Sequence, residues 1–246
     1  MRPSPASHFA ASDSPSAYWR FYWAVASAQL NRWLPRPPGR LLDLSGVNSA
    51  STRHAVLAGH DVVAVVDPRK PADLPALDSR LHPVIGDGTF LSFFTDGSFD
   101  AVIADSQVLS RQLVTEALMG EIARVLRPGG RALLCVDSVV LGMALLAEQD
   151  RWRELANAAA AEVLLVPWPD GTITRCFTGD QLRELVSDTG LELEWMKPRT
   201  VLSASTVELV LSSNERALPR LVQAELEAAD SAEFSGMHLV ASARKP

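Results

Sequence analysis

The sequence predicts an α/β protein built on an open, doubly wound and mostly parallel sheet, with helices on both faces and a cap insertion. Three observations predict it. Apolar strand-like runs alternate with helical segments from residue 40 to residue 136, the rhythm of a parallel sheet with crossover helices. The run Asp61-Val62-Val63-Ala64-Val65-Val66-Asp67 is apolar at both parities, as a strand buried on both faces requires. Gly and Pro punctuate the junctions, at Pro35, Pro37, Pro38, Gly39, Gly59, Pro128, Gly129, Gly130 and Gly190.

The elements follow in order. Ala17 to Trp33 carries large apolar residues without Gly or Pro and predicts a helix that the prolines after it terminate. Arg40 to Leu44 predicts a buried strand, Ser49 to Ala58 a helix closed by Gly59, and Asp61 to Asp67 the next strand. Val84 to Gly86 and Phe99 to Asp105 read as strands, Val114 to Leu126 as an amphipathic helix, and Arg131 to Val136 as a further strand. The rhythm then breaks. Asp137 to Phe177 reads as an insertion above the sheet, helical through Ala161 and then a hairpin around Pro169-Asp170-Gly171. Thr178 is placed to cap a helix over Gly179 to Asp188. Leu191 to Met196 and Thr200 to Ser212 are expected as strands, Leu218 to Ala229 as a helix, and Met237 to Ala243 as the closing strand.

Composition bounds the function. A chain of 246 residues, 47% apolar and 21% charged, has ordinary globular usage and buries a core without disulfides or metals. Its net charge of −6 argues against a nucleic-acid partner. Cys135 and Cys176 form no CxxC pair and no metal spacing, so they read as buried free thiols and no metal is expected. Met1 to Ser16 is rich in Ser, Ala and Pro, which predicts a flexible tail before a domain spanning 17–246; it lacks the apolar core of a signal peptide. No later stretch has the length of a membrane span. A cytoplasmic protein is the expectation.

Five phrases occur in a telling order: "RLLDLSGVNSA", "HDVVAVVD", "VIGDGTFLSFFTDGSFDAVIAD", "EIARVLRPGGRALLCV" and "FTGDQLRELVSDTGLELEWM". In order and spacing the chain resembles the class I S-adenosylmethionine-dependent methyltransferases, with a type 11-like methyltransferase domain and a Rossmann-like fold. The likeness covers about Leu41 to Met196. It implies S-adenosyl-L-methionine as cofactor, bound where strand order reverses. It places Asp43 near the cofactor's amino group, Asp67 with Pro68 at the ribose hydroxyls, and Asp87 with Gly88 at the adenine. Asp105 and Ser106 then face the crevice between cofactor and acceptor.

One departure stands out. Members of that family carry an acid-x-Gly-x-Gly-x-Gly loop after the first strand, and this chain has Asp43-Leu44-Ser45-Gly46-Val47-Asn48-Ser49. Ser45, Gly46 and Val47 occupy the loop that would meet the cofactor. A β-branched residue resists positive φ, so Val47 is expected to push bulk toward the ligand, and Val47→Gly to leave cofactor binding no weaker.

For catalysis, methyl transfer chiefly needs an acceptor held in line and shielded from water. No histidine follows the fourth strand, and His8, His54, His60, His82 and His238 all read as surface or packing residues. Asp105 is the one candidate base, by position. In the N-terminal helix Tyr18 and Trp19 are expected to enclose the sulfonium by cation–π attraction, with a core-packing role on the helix's other face. Tyr22, Trp168 and Arg175 are the expected acceptor contacts. A methyltransferase acting on a small, natural-product-like molecule is the leading reading. The alternative is the same fold without methylation, as a cofactor-independent isomerase or cyclase of a biosynthetic pathway or as a binding pseudoenzyme.

Overall fold

The computed structural model describes residues 16–68, 78–168, 170–231 and 236–246. The expected N-terminal tail, up to residue 15, lies outside them, as does Pro169 of the hairpin turn.

Helix α1 (Ala17–Trp33) starts at Ser16, whose hydroxyl accepts from the Trp19 amide, and ends before Pro35. Five parallel strands then build the sheet: β1 (Arg40–Asp43), β2 (Asp61–Val66), β3 (Leu81–Ile85), β4 (Phe99–Ala104) and β5 (Leu126–Ser138). Between them lie α2 (Ala50–Leu57) and α3 (Thr115–Val125). Strand β5 begins earlier than expected. Its first residues bend through Pro128-Gly129-Gly130 opposite a register shift in β4, and the bend needs glycine. A Cβ at Gly130 would stand 2.9 Å from the Arg127 carbonyl and 3.1 Å from that of Asp100.

Beyond β5 come α4 (Val139–Glu148), α5 (Trp152–Asn157), β6 (Leu164–Pro167), β7 (Ile173–Phe177), α6 (Gly179–Asp188), β8 (Glu192–Arg199), α7 (Ala204–Ser213), α8 (Leu218–Ser231) and β9 (His238–Arg244). Strand β9 runs antiparallel between β5 and β8. The sheet order is therefore β3-β2-β1-β4-β5-β9-β8, and the β6–β7 hairpin attaches to the last residues of β5, with Asp137 opposite Cys176 and Ser138 opposite Phe177. Strand order reverses between β1 and β4, so their carboxyl ends frame a crevice. Among the described residues no helix is long and apolar enough to cross a membrane.

The expected strand over Thr200 to Ser212 is instead helix α7. Its β-branched residues suggested extension. Ser203, however, accepts from the Thr206 amide as an N-cap, and Val207 and Leu211, one helical turn apart, both bury against Tyr18, Phe21 and Val25 of α1. Tertiary packing overrides weak local propensity there. The sheet separates two cores. Leu42, Val63, Val102 and Leu134 face α3 and α6, while Leu41, Val62, Ile103 and Leu133 face α1 and α2, the double burial that parallel strands impose.

Candidate functional site

The loop after β1 is organised from below. Asp43 is fully buried. Its carboxylate accepts from the Ser45 amide at 2.7 Å, from the Ser51 and Thr52 hydroxyls at 2.7 and 2.9 Å, and from Ser49 Oγ at 3.3 Å. Burial pushes its pKa up, and these hydrogen bonds draw it part of the way back. Asp43 thus clamps the loop to the first turn of α2. Ser45 in turn accepts from the Asp105 amide at 3.1 Å, tying β1 to β4 across the switch point.

The altered glycine loop solves its backbone problem at one position. Gly46 takes φ +102°, and a Cβ there would meet nothing within 4 Å, so the loop presents an open face at that point. Val47 does not project toward the crevice as the sequence suggested. It is buried and belongs to the core formed with Leu30, Trp33, Val56, Val62 and Ala64. Because Gly46 carries the left-handed turn, Val47 is free to point inward. Val47→Gly should therefore cost about 2–3 kcal/mol of stability, from lost burial plus backbone freedom, read as a shift in the chemical-denaturation midpoint. A variant within about 0.5 kcal/mol of the wild type would show that the packing is slack.

Asp67 and Pro68 follow β2, the first half-buried and the second exposed. Asp87 follows β3, is exposed, and accepts from the Thr89 amide at 2.9 Å; Gly88 sits half-buried beside Val65. These residues share the carboxyl edge of the sheet with Asp43 and Asp105, since β1 to β4 are parallel.

Asp105 has a different role from the one its position suggested. Arg199, at the end of β8, is fully buried, and its Nη1 and Nη2 donate to the two oxygens of Asp105 at 2.9 and 3.3 Å. The same guanidinium donates from Nε to Gln29 at 2.8 Å and from Nη1 to the Tyr22 hydroxyl at 3.3 Å, and it lies over the Tyr22 ring. Burial alone would raise the Asp105 pKa, but Arg199 more than offsets it and holds the carboxyl below its usual range. A buried carboxylate that already accepts from both guanidinium nitrogens is a poor proton acceptor, which argues against Asp105 as the base. Burial pushes the Tyr22 hydroxyl well above its ordinary value. Ser106 and Gln107 follow with φ of 56° and 65°, two consecutive left-handed residues where the chain leaves the ion pair.

A cavity of about 250 Å³ opens beside this turn, lined by Trp19, Tyr22 and Trp23 of α1, by Ser106, Gln107 and Arg111, and by Trp168, Asp170 and Thr172 of the hairpin. The structure thus brings Trp19, Tyr22, Trp168 and Ser106 together, as the sequence suggested. It does not bring Tyr18 or Arg175 there. Tyr18 packs into the core between α1, α7 and α8, with its ring edge to face against Trp19 at 5.9 Å. Arg175 pairs with Glu116 at 2.8 Å and stacks on Phe177. Between α1 and α2, Trp23, Ala26 and Leu30 close on Ser51, His54 and Asp105, leaving a cleft of only about 10 Å³.

Sequence reasoning missed Arg199 and the buried pair Asp137 and His238. Asp137 carried a signal, as a fifth acid at a strand's carboxyl end. Arg199 carried none.

Residues 42–134 match the family model described as a methyltransferase domain. No curated protein matches the sequence. Among solved structures, the chain is similar to the 1,6-didemethyltoxoflavin-N1-methyltransferase of Burkholderia thailandensis, crystallised with 1,6-didemethyltoxoflavin and S-adenosylhomocysteine, at 18% identity and a TM-score of 0.57 over 93% of this chain and 78% of that one. An S-adenosylmethionine-dependent methyltransferase from Mesorhizobium loti gives 18% identity and 0.58 over 94% and 98%. The cyclase SpnF gives 19% and 0.55 over 90% and 80%. Residues 42–134 thus match a methyltransferase domain, and the chain as a whole has the fold of these S-adenosylmethionine-dependent methyltransferases.

Proposed function

We propose that this protein is a methyltransferase that takes S-adenosyl-L-methionine as donor and a small aromatic molecule as acceptor. The observation that carries the reading is the row of acids at the carboxyl ends of β1 to β4 beside an aromatic-lined cavity. Asp67 is half-buried at the edge, suited to accept from ribose hydroxyls. Asp87 and Gly88 continue the row at the adenine position. The open face at Gly46 leaves room for the donor's chain, and the cavity between α1 and the hairpin takes the acceptor. When bound, the sulfonium supplies an electrophilic methyl carbon. The protein's part is to orient the acceptor against it and exclude water. Trp19, Trp23 and Trp168 supply apolar walls and cation–π surfaces for a sulfonium.

The narrow cleft between α1 and α2 favours a second reading, in which the fold works without the donor, because the donor's amino-acid end needs α1 to move outward. Calorimetric titration with S-adenosylmethionine separates the two. Saturable binding supports methylation, and no heat at millimolar ligand supports the alternative. Asp67→Ala should weaken donor binding by about 1.5–3 kcal/mol, the loss of charged hydrogen bonds, with an unchanged thermal transition. Unaltered affinity would make Asp67 a turn residue only.

A further inference from the structure

Among the described residues, three buried side-chain nitrogen or oxygen atoms lack a hydrogen-bond partner: Asp137 Oδ1, His238 Nδ1 and His238 Nε2. All three belong to one pair. His238 Nε2 lies 3.5 Å from Asp137 Oδ1, well beyond the usual N–H···O distance, and both side chains are almost wholly buried.

The surroundings fix both groups in place. Asp137 ends the central part of β5; its amide donates to Ser110 Oγ, and its Oδ2 accepts from Thr174 Oγ1 at 2.5 Å. That leaves Oδ1 as the outward acceptor. His238 begins β9, and its ring meets Tyr22 edge to face at 5.3 Å. Burial pushes His238 down to about 3, with the Arg199 charge adding to it, so its ring is neutral and offers one N–H and one lone pair. Burial raises Asp137 to about 6, while Thr174, Arg111 and Gln107 hold it from rising further.

Tyr22, Gln107 and Arg111 also line the acceptor cavity, so the pair stands one side chain behind the cavity wall. Gln107 is the part of that wall that stands against Asp137. It is half-buried, accepts from Arg111 in a solvent-exposed hydrogen bond of 3.2 Å, and its side chain also approaches the Asp137 carboxyl, so a ligand that reaches the pair displaces it. Buried polar atoms without partners are costly, and native proteins keep few of them. Their concentration in one acid–histidine pair beside a cavity marks a place that a ligand completes.

We propose that the cavity continues past Gln107 to a polar floor formed by Asp137 and His238, and that this floor takes the hydroxyl of a phenol-type ligand. The hydroxyl donates to Asp137 Oδ1 and accepts from the His238 N–H, supplying partners to two of the three unpaired atoms. The aromatic ring then lies among Tyr22, Trp23 and Trp168. In this position Asp137 would take the hydroxyl proton only as the oxygen's electron pair is engaged by a methyl donor. The inference rests on the proposed methyltransferase reading and narrows its acceptor to aromatic hydroxyl compounds.

The test uses the full chain without donor and three naphthalene probes: 2-naphthol, 2-methoxynaphthalene, which lacks the donor hydrogen, and naphthalene. The wild type should bind 2-naphthol roughly tenfold more tightly than either of the others, the scale of one satisfied buried hydrogen bond. Bound 2-naphthol, a photoacid, should also show the emission of its naphtholate form. Asp137→Asn should abolish both the preference and that emission while leaving 2-methoxynaphthalene affinity unchanged. Equal binding of all three probes to the wild type, no binding of any, or a folded Asp137→Asn that keeps the preference would each overturn the proposal. The wild-type comparison decides the matter if that variant does not fold. Calorimetry with S-adenosylhomocysteine is read separately. Its failure removes the methyltransferase reading, whereas a failed naphthol preference with intact S-adenosylhomocysteine binding removes only this floor.

Discussion

Arg199→Met will lower the stability of this protein by about 3–5 kcal/mol, the cost of leaving a buried charge without its partner. Arg199 and Asp105 are both almost completely buried, and the guanidinium also satisfies Gln29 and the Tyr22 hydroxyl. Removing it strands three polar groups at once. Methionine keeps much of the volume, so the loss reports electrostatics more than a cavity. Chemical denaturation at pH 7 measures it. A loss below about 1 kcal/mol would mean that water enters and screens Asp105. The double variant Arg199→Met, Asp105→Leu should recover most of the stability, because exchanging a whole buried ion pair for apolar groups is often neutral or better. Donor and acceptor binding should stay impaired in both variants, since α1 loses the tether that sets Tyr22 against the crevice.

Asp137→Asn is expected to act in the opposite direction, raising stability at pH 7 by up to about 3 kcal/mol. Burial lifts the Asp137 pKa from 3.8 to about 6. The folded state therefore holds a proton that the unfolded chain releases more easily. Stability from this group is fully present below about pH 4, and it is lost as pH rises through about 6. Asparagine carries no charge and retains an oxygen for Thr174. The difference between variant and wild type should be near zero around pH 4, grow through pH 5 and 6, and level off above pH 7. Urea denaturation at several pH values reads it directly. A variant that is less stable at pH 7, or a difference independent of pH, would show that the ionised carboxylate is well solvated in the fold. An acid that costs stability where asparagine would serve is the pattern of a residue kept for binding or chemistry.

Local pattern carried far in this chain, and its failures have specific causes. The helix over Ala17 to Trp33 and the capping box at Thr178 and Gln181 follow from uninterrupted apolar spacing and a local side-chain signal. The strands β1, β2 and β4 were legible because a doubly buried strand must be apolar at every position. The segment Ala204–Ser213 was misread, since its β-branched residues fit either a strand or a helix, and only contact with α1 distinguishes them. Val47 was misread for a related reason. The loop's departure from the family pattern was visible, and so was Gly46 as a residue to supply the missing flexibility, but the direction Val47 would then take was not. Gly46 absorbed the left-handed turn, and Val47 turned into the core.

The sequence by itself determined the class of sheet, the order of its elements, and the acids at the strand ends, because these depend on periodicity and on residues close together in the chain. Tertiary structure alone decided what those acids do. Arg199 reaches Asp105 across a separation of 94 residues, and His238 meets Asp137 because β9 inserts antiparallel beside β5. Contacts of that kind leave no trace in local pattern. They arise when the fold excludes water and each buried polar group must find its partner among whatever the topology brings near.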